Sequence, residues 1–250
     1  MSETELHLPH GSIWPFLLAT SISALGVGAI MAPSWGPVAL ILGFVFFLIA
    51  LLGWIVEDTK WWNDKVGTGE GVGKLGTMLF MSSEIFLFGA LFATYFSFRA
   101  SADHWPDQHV HFELEKVIAF TVVLIASSGT AQYAEKQLMK DNRKGFLTWW
   151  AITIVLGSIF IAGQVMEYMT LIHEGFTISS SHFASTFYMI TGFHGVHVFG
   201  GLVFMMIVFV RAMKGQFNSE RHLAPAMAGL YWHFVDAIWI FVFFVLYIIQ

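Results

Sequence analysis

Six ionisable side chains stand inside long apolar segments of this sequence, where a charged group is costly and a functional role is a natural first hypothesis. They are Glu84, Glu167, His194, His197, His233 and Asp236. Carboxyls and histidines relay protons, and histidines also ligate heme and metal ions. The same groups hydrogen-bond neighbouring helices inside membrane proteins. Each of the six therefore has a chemical interpretation and a purely structural one.

Glu84 lies in the run MSSEIFLFG. It is about ten residues beyond Lys74, so roughly 15 Å along a helix and near the middle of a bilayer. Desolvation disfavours the charged form of a carboxyl at that depth, and no Lys or Arg lies at the same depth. We therefore expect Glu84 to be neutral. Two roles stay open: a carboxyl that exchanges protons or faces lipid, and a carboxyl that hydrogen-bonds a neighbouring helix.

The histidines raise the question of heme. His194 and His197 are three residues apart in TGFHGVHVFGG, so both could face one neighbouring helix. His233 and Asp236 have the same spacing in YWHFVDAIWIF and could form a buried pair. Heme needs an axial histidine beside a large open pocket, whereas glycine next to bulky Phe and Val favours close packing. We favour packing and hydrogen bonding over ligation, and a pair that holds helices together over a proton path.

Glu167 and Tyr168 follow Gln164 near the end of the fifth apolar segment. We expect them near a membrane interface, where water solvates a carboxylate, so their indication of a function is weak. The glycine-rich run at 67–73, GTGEGVG, lacks a preceding strand and a Lys-Ser/Thr ending, which argues against a phosphate-binding loop. No nucleophile–base pair, metal-ligand cluster or dinucleotide fingerprint emerges. The residues indicate a membrane subunit or a transporter with buried carboxyls.

The composition excludes several classes of protein. Of the 250 residues, 56% are hydrophobic and only 12% are charged, against about 25% charged in an ordinary soluble domain. Lipid must therefore be the solvent for most of the chain. Twelve basic residues with a net charge of -5 argue against nucleic acid as a partner. The absence of cysteine excludes disulfides, thiolate-bound zinc and iron–sulfur clusters.

Seven apolar segments are long enough to cross the roughly 30 Å hydrocarbon core as helices, and none alternates as a barrel strand does. They span 13–32, 36–56, 74–98, 115–134, 146–172, 183–210 and 225–249. The sequence thus predicts an all-α, polytopic membrane protein. The glycine-rich connector predicts a boundary between a two-helix bundle, residues 1–66, and a five-helix bundle, residues 67–250. Pro33 and Pro37 predict a tight hairpin between the first two helices.

The basic residues predict how these helices are oriented. Ten of the twelve lie in the connections after the second, fourth and sixth helices: Lys60, Lys65, Lys74, Lys136, Lys140, Arg143, Lys144, Arg211, Lys214 and Arg221. Arg99 and Lys116 alone lie at the other end of the helices. Because cytoplasmic loops carry the excess of Lys and Arg, the N-terminus is predicted on the cytoplasmic side.

Several runs of this sequence resemble the signatures of a known family. FTISSSHFASTFYMITGFHGVHVFGG (176–201) and YWHFVDAIWIFVF (231–243) resemble helices 6 and 7 of subunit III of heme-copper cytochrome c oxidase. WWND (61–64), LFMSSEIFLFGALFATYF (79–96) and GQVMEY (163–168) follow in the order and spacing of that family. The resemblance covers nearly the whole chain. It implies seven helices, arranged as two plus five around a V-shaped cleft that holds lipids.

The resemblance also implies a function and partners. In that family this subunit carries neither heme nor copper, which belong to the partner subunits. It packs against the catalytic subunit I, with subunit II and in some complexes small subunits. There it supports proton uptake and protects the enzyme, which reduces dioxygen and pumps protons, against inactivation during turnover. The expected location is a respiratory membrane, that of a bacterial cell in the first instance.

Residues carry over from the family at a few positions. Glu84 matches a glutamate that reacts with carbodiimides, and Trp62 and Arg211 match positions that contact a bound phospholipid. His7 and His10 resemble N-terminal histidines near the mouth for proton uptake, although HLPHGSIWPF departs from the usual opening.

Three other functions compete with this interpretation. The first is subunit III of a quinol oxidase, whose members often have five helices. The second is a membrane cytochrome that holds heme through His194, His197 and His233. The third is a secondary transporter, for which inverted repeats and broken helices are expected and neither is found.

Overall fold

The computed structural model describes residues 12–35, 38–64, 70–106, 110 and 112–250. Within these residues the chain is helical, with no strand. The helices are α1 (Trp14–Trp35), α2 (Val38–Asp64), α3 (Glu70–Ser101), α4 (Leu114–Leu138), α5 (Arg143–His173), α6 (His182–Met213) and α7 (Leu223–Phe243). A π-helix, Phe244–Ile248, continues α7. The prediction of an all-α fold with seven helices is confirmed.

The helices begin close to their predicted starts, but most run beyond their predicted ends. The largest difference is in α2, which was predicted to stop at residue 56 and continues to Asp64. Trp62 therefore lies in the last turn of α2, where the sequence predicted a loop. Likewise, α3 begins at Glu70, inside the predicted glycine-rich connector. Hydropathy marks only the part of a helix inside hydrocarbon, whereas backbone hydrogen bonding extends it into the polar interface.

Five helices of the described chain are long and apolar enough to cross a membrane. They are Leu75–Ser101, Leu114–Leu138, Arg143–His173, His182–Met213 and Leu223–Ile248. Shorter apolar stretches occur at Trp14–Leu25 in α1 and Ile41–Trp54 in α2. These helices make the chain a membrane protein.

Two compact units divide the chain, Met1–Thr68 and Gly69–Gln250. In the first unit α1 and α2 pack antiparallel. A side chain at Gly43 would meet the Leu25 backbone at 3.2 Å, and one at Gly53 would collide with the Trp14 ring. Small residues thus let the two helices approach closely, as they do in other membrane helix pairs.

The second unit contains α3 to α7, the five helices that could cross a membrane, and α7 has the largest buried share among them. It contacts α3, α4 and α6. Two buried indoles tie it to α4: Trp232 Nε1 donates to Ser127 Oγ at 2.8 Å, and Trp239 Nε1 donates to Thr121 Oγ1 at 3.0 Å. A buried indole N–H needs such an acceptor because no water or lipid group can supply one.

Glycines in α5 and α6 provide the space for these rings. A Cβ built on Gly157 would lie 2.6 Å from the Trp232 ring, and one on Gly201 would lie 3.0 Å from it. A Cβ on Gly195 would lie 3.1 Å from the Gln164 amide oxygen. The sequence predicted that the glycines of α6 allow close packing, and Gly195 and Gly201 do so.

Candidate functional site

Glu84 of α3 contacts α6 through His197. The carboxyl is 8% exposed, and its Oε2 lies 2.9 Å from His197 Nε2. Because the other ring nitrogen lies 2.8 Å from the Phe193 carbonyl, which can only accept, Nδ1 must donate there. The bond at Nε2 then needs one further proton, either on a neutral Glu84 or on a cationic imidazole. The sequence analysis considered only Lys and Arg as cationic partners for Glu84, so it missed His197 as the partner.

His194 points elsewhere. It is fully buried, and its ring packs against Phe160 of α5 and Trp239 of α7, with centroid distances of 6.0 and 5.0 Å. From their spacing in the sequence, His194 and His197 could have faced one neighbouring helix. Side chains three residues apart on an α-helix point in directions that differ by about 60°. This difference turns His194 toward α5 and α7 and His197 toward α3. Neither ring nitrogen of His194 has a hydrogen-bond partner in the described chain.

The predicted pair of His233 and Asp236 does not form. His233 Nδ1 instead pairs with Ser128 Oγ of α4. Asp236 is 5% exposed, and the Ser128 side chain lies near it. Neither Asp236 oxygen makes a hydrogen bond of normal geometry to the described residues. If His233 Nδ1 accepts from the Ser128 hydroxyl, the Asp236 carboxyl has no donor; if Nδ1 carries the proton, the hydroxyl is free to turn toward Asp236.

Glu167 is half-buried and lies six residues before α5 ends at His173, close to the end of the helix as its sequence position indicated. Its Oε2 accepts a hydrogen bond from Tyr247 Oη at 2.9 Å. Its Oε1 is buried and has no partner among the described residues. One oxygen of this carboxyl is therefore hydrogen-bonded to the protein, and the other has no partner in the described chain.

The C-terminal π-helix positions the tyrosine that Glu167 binds. A π-turn holds one more residue than an α-turn, so it shifts the faces of the residues that follow. Three consecutive residues, Val245, Leu246 and Tyr247, are buried there. Tyr247 packs against Phe112 and Phe187 at centroid distances of 4.9 and 5.6 Å.

Two neighbours of Glu167 join α5 to α6. Gln164 Nε2 donates to the Thr191 carbonyl at 2.8 Å, and Tyr168 Oη lies 2.6 Å from Thr191 Oγ1. The run GQVMEY therefore places three polar side chains on contacts with other helices, which its sequence alone did not reveal.

One buried carboxyl was missed entirely. Glu135 of α4 is partly buried, and its Oε1 occupies the space where Gly229 of α7 lacks a side chain. That oxygen also has no partner in the described chain. The single glycine in the run AMAGLYW indicated that another group approaches α7 closely there. The sequence does not reveal which helix provides that group.

A cavity of ≈ 110 Å³ lies between α4, α5 and α7. Aromatic rings form much of its wall, and Gln164 and Glu167 line it from α5. Glu113 and Lys116, an ion pair at the start of α4, also line it, and their side chains are 49% and 67% exposed.

The connections at the basic end of the helices are tied to one another. Asp141 accepts hydrogen bonds from the Ser219 N–H and hydroxyl, both at 2.8 Å, and these bonds lower the pKa of the Asp141 carboxyl. Arg143 Nε donates to the Ala212 carbonyl at 3.0 Å, and its Nη2 donates to the Met213 carbonyl. The guanidinium thus donates to two carbonyls of the last turn of α6, where a cation is also favoured by the helix dipole.

The remaining predicted site residues are resolved unevenly. Arg211 is half-buried at the end of α6, where its Nε donates to Gln216 Oε1 at 2.8 Å and its guanidinium lies 5.5 Å from the Phe217 ring centroid. The Trp62 side chain, His7 and His10 lie outside the described residues. In the part of the chain that is described, no group of three or more His, Asp or Glu could hold a metal ion.

Comparison with known proteins gives a consistent result. The sequence profile of the family described as Cytochrome c oxidase subunit III matches residues 4–250. Cytochrome c oxidase subunit 3 of Thermostichus vulcanus is 41% identical over 176 residues, which are 70% of this chain and 86% of that protein. A probable cytochrome c oxidase subunit 3 of Nocardia farcinica is 40% identical over 177 residues, 70% of this chain and 87% of that protein. The same subunit of Dugong dugon is 35% identical and covers 96% of this chain and 95% of its own.

Proposed function

The chain belongs to the cytochrome c oxidase subunit III family, and on that premise we propose that it is the non-redox subunit of a proton-pumping oxidase, where it supports proton uptake and the stability of the catalytic subunit. The family match over residues 4–250 carries this proposal. The partners are then subunit I, which with subunit II holds heme and copper, and in some complexes small subunits. The reaction of the whole enzyme is electron transfer to dioxygen coupled to proton translocation.

The geometry of the histidines supports a non-redox role over a heme-binding cytochrome. An axial ligand needs a free ring nitrogen facing a pocket large enough for heme. Both nitrogens of His197 and Nδ1 of His233 are engaged in hydrogen bonds. His194 is enclosed by aromatic rings. Ligation would require these contacts to be taken apart.

A quinol oxidase subunit is the other alternative, and the comparisons do not favour it. The relatives above are named for cytochrome c oxidase, and a mammalian relative aligns along 96% of this chain. We therefore propose cytochrome c as the electron donor of the complex.

The finer features of the family form part of the same proposal. They are seven membrane spans grouped as two plus five around a V-shaped cleft, a phospholipid that contacts Trp62, Arg211 and Glu84, and N-terminal histidines, His7 and His10, near the proton-uptake mouth. A planar guanidinium suits phosphate because it can bond two oxygens at once. The distribution of basic residues supports an N-terminus on the cytoplasmic side, in a bacterial inner membrane.

Assembly is the first test. An affinity tag on this chain should retain a heme-copper subunit in mild detergent, and the chain separated from it should show no Soret absorption. A tagged chain that purifies alone and stable would contradict the proposal. Lipid extracted from the complex should include tightly bound phospholipid, with less of it in an Arg211→Ala variant than in an Arg221→Ala control, which changes an exposed arginine at the same end of the helices.

The supporting role is tested by comparing the oxidase with and without this chain. We expect the depleted enzyme to reduce dioxygen at first, with slower proton uptake, and to lose activity progressively during turnover. Adding the chain back should restore both properties. Equal uptake and equal lifetime in the two preparations would show that the chain does not support the catalytic subunit.

A further inference from the structure

The cavity between α4, α5 and α7 lies at the end of the five-helix unit away from the basic connections. It is lined by the start of α4 and the last turns of α5, which share that end. Its volume is ≈ 110 Å³, whereas one water molecule needs about 10–15 Å³ on this scale. Several water molecules therefore fit. Its apolar walls, which include Phe120, Phe160 and Trp239, provide no polar groups of their own apart from an indole N–H that is already bonded to Thr121.

Glu167 is the side chain in this cavity with an unmet hydrogen-bonding requirement. One oxygen accepts from Tyr247, and the other is buried without a partner in the described chain. A buried carboxyl oxygen left without a donor bears the full cost of losing its hydration. Such oxygens in proteins are usually matched by ordered water. Glu167 lines this cavity, and a water molecule in it could donate to the carboxyl.

The charged and titratable groups around Glu167 come from each neighbouring element. Glu113 and Lys116 stand at the start of α4, Tyr188 stands on α6, Tyr247 on the π-helix, and Tyr168 beside it on α5. Of these, the Glu113–Lys116 ion pair is exposed, while the tyrosines are partly or fully buried. The cavity therefore runs from a buried carboxyl to an ion pair at the surface.

We propose that this cavity holds an ordered water cluster that connects Glu167 to the aqueous phase at Glu113 and Lys116, so that Glu167 is a proton-exchange site at the end opposite the basic connections. The step is balanced: the Glu167 carboxyl gives a proton to a cavity water, which passes one to the Glu113 carboxylate or to bulk water. The carboxylate that remains is held by the Tyr247 hydroxyl and by water. The proposal is independent of the proton-uptake role above, which concerns the opposite, N-terminal side.

Infrared spectroscopy on the intact oxidase complex tests this. Difference spectra between acid and alkaline pH should contain a carboxyl band lost and a carboxylate band gained, both absent in Glu167→Gln and shifted in Glu167→Asp. The heme spectrum and subunit content of each variant verify assembly. Persistence of every pH-dependent carboxyl band in the two Glu167 variants would overturn the proposal.

The route of exchange is tested at the cavity mouth. Thr170 is exposed and lines the cavity, so Thr170→Phe should cover it and slow the deuterium shift of the Glu167 band several-fold. Thr148→Phe is the matched control: both threonines are exposed on α5, and each hydroxyl donates to the carbonyl four residues before it. Glu113→Gln should also slow the exchange.

Two results would refute the water cluster. One is a Glu167 band that exchanges at the same rate in Thr170→Phe and in Thr148→Phe. The other is a density map of the complex in which an acyl chain fills the cavity, because the aromatic walls would then serve lipid and Glu167 would stay dry.

Discussion

Glu84 and Glu167 are both carboxyls inside the five-helix unit, and the protein accommodates them differently. Glu84 pairs with the imidazole of His197 and leaves no buried oxygen unmatched. Glu167 has one tyrosine donor, one unmatched oxygen and a cavity beside it. The first carboxyl depends wholly on a protein partner, whereas the second has room for solvent. The difference indicates that losing a partner should cost more at Glu84 than at Glu167.

The largest expected effect is at the pair of Glu84 and His197. His197→Leu leaves Glu84 buried without its imidazole, and breaking a buried pair in this way costs about 3 kcal/mol. The midpoint temperature for loss of this chain from the detergent-solubilised complex should fall clearly. Val196→Leu, at an exposed position next to it, is the control. The double variant Glu84→Leu with His197→Leu should recover much of the loss, and a double variant worse than both single ones would contradict the pairing.

A smaller effect is expected at Glu167, the carboxyl beside the cavity. Tyr247→Phe removes one donor from Glu167 and keeps the aromatic packing, so we expect a loss of about 1 kcal/mol because water can replace the hydroxyl. The same thermal measurement checks it. Tyr133→Phe, at an exposed tyrosine whose ring packs on Trp149, should change nothing. A loss equal to that of His197→Leu would abolish the distinction between the two carboxyls.

His194 sharpens the comparison because neither of its ring nitrogens has a hydrogen-bond partner in the described chain. Replacing an unmatched buried polar ring by an apolar group of similar size removes a desolvation cost. His194→Leu should therefore be neutral or stabilising, within about 1 kcal/mol of the wild type. Destabilisation beyond that of Tyr247→Phe would mean that an ordered water or a partner subunit bonds this imidazole.

The smallest effect is expected at Asp141, an exposed reference for the buried carboxyls. Its hydrogen bonds to Ser219 lower its pKa below the ordinary value of 3.8. A lowered carboxyl pKa stabilises the folded state above the unfolded pKa, and the contribution disappears as the pH falls through the folded pKa. Asp141→Asn should therefore slightly lower thermal stability at neutral pH and converge with the wild type in acid. A difference that grows toward acid pH would have the wrong sign.

Hydropathy predicted the existence and approximate starts of all seven helices, because twenty apolar residues in lipid leave few alternatives to a helix. It could not predict the end of α2, since polar residues after residue 56 continue the helix once the apolar run is over. The positive-φ turn at Asp141 and the π-helix at Phe244–Ile248 also carried no pattern visible in the sequence.

Contacts between helices were predicted less well, for a geometric reason. Spacing along one helix indicates which side chains share a face, but not which neighbour lies opposite. The spacing allowed His194 and His197 to share one partner although they face different helices, and it did not link Glu135 to Gly229. Each error concerns the lateral order of helices, which periodicity on a single segment does not contain.

Arg143 has a consequence for how the chain is made. It precedes α5, yet it matches carbonyls at Ala212 and Met213, about seventy residues later. During synthesis the arginine therefore reaches its place at the end of the helices before the last turn of α6 has been made. When α6 leaves the insertion machinery, its last carbonyls meet a donor already in place. An Arg143→Ala chain should fail late, with α4 and α5 inserted normally and the end of α6 sensitive to protease.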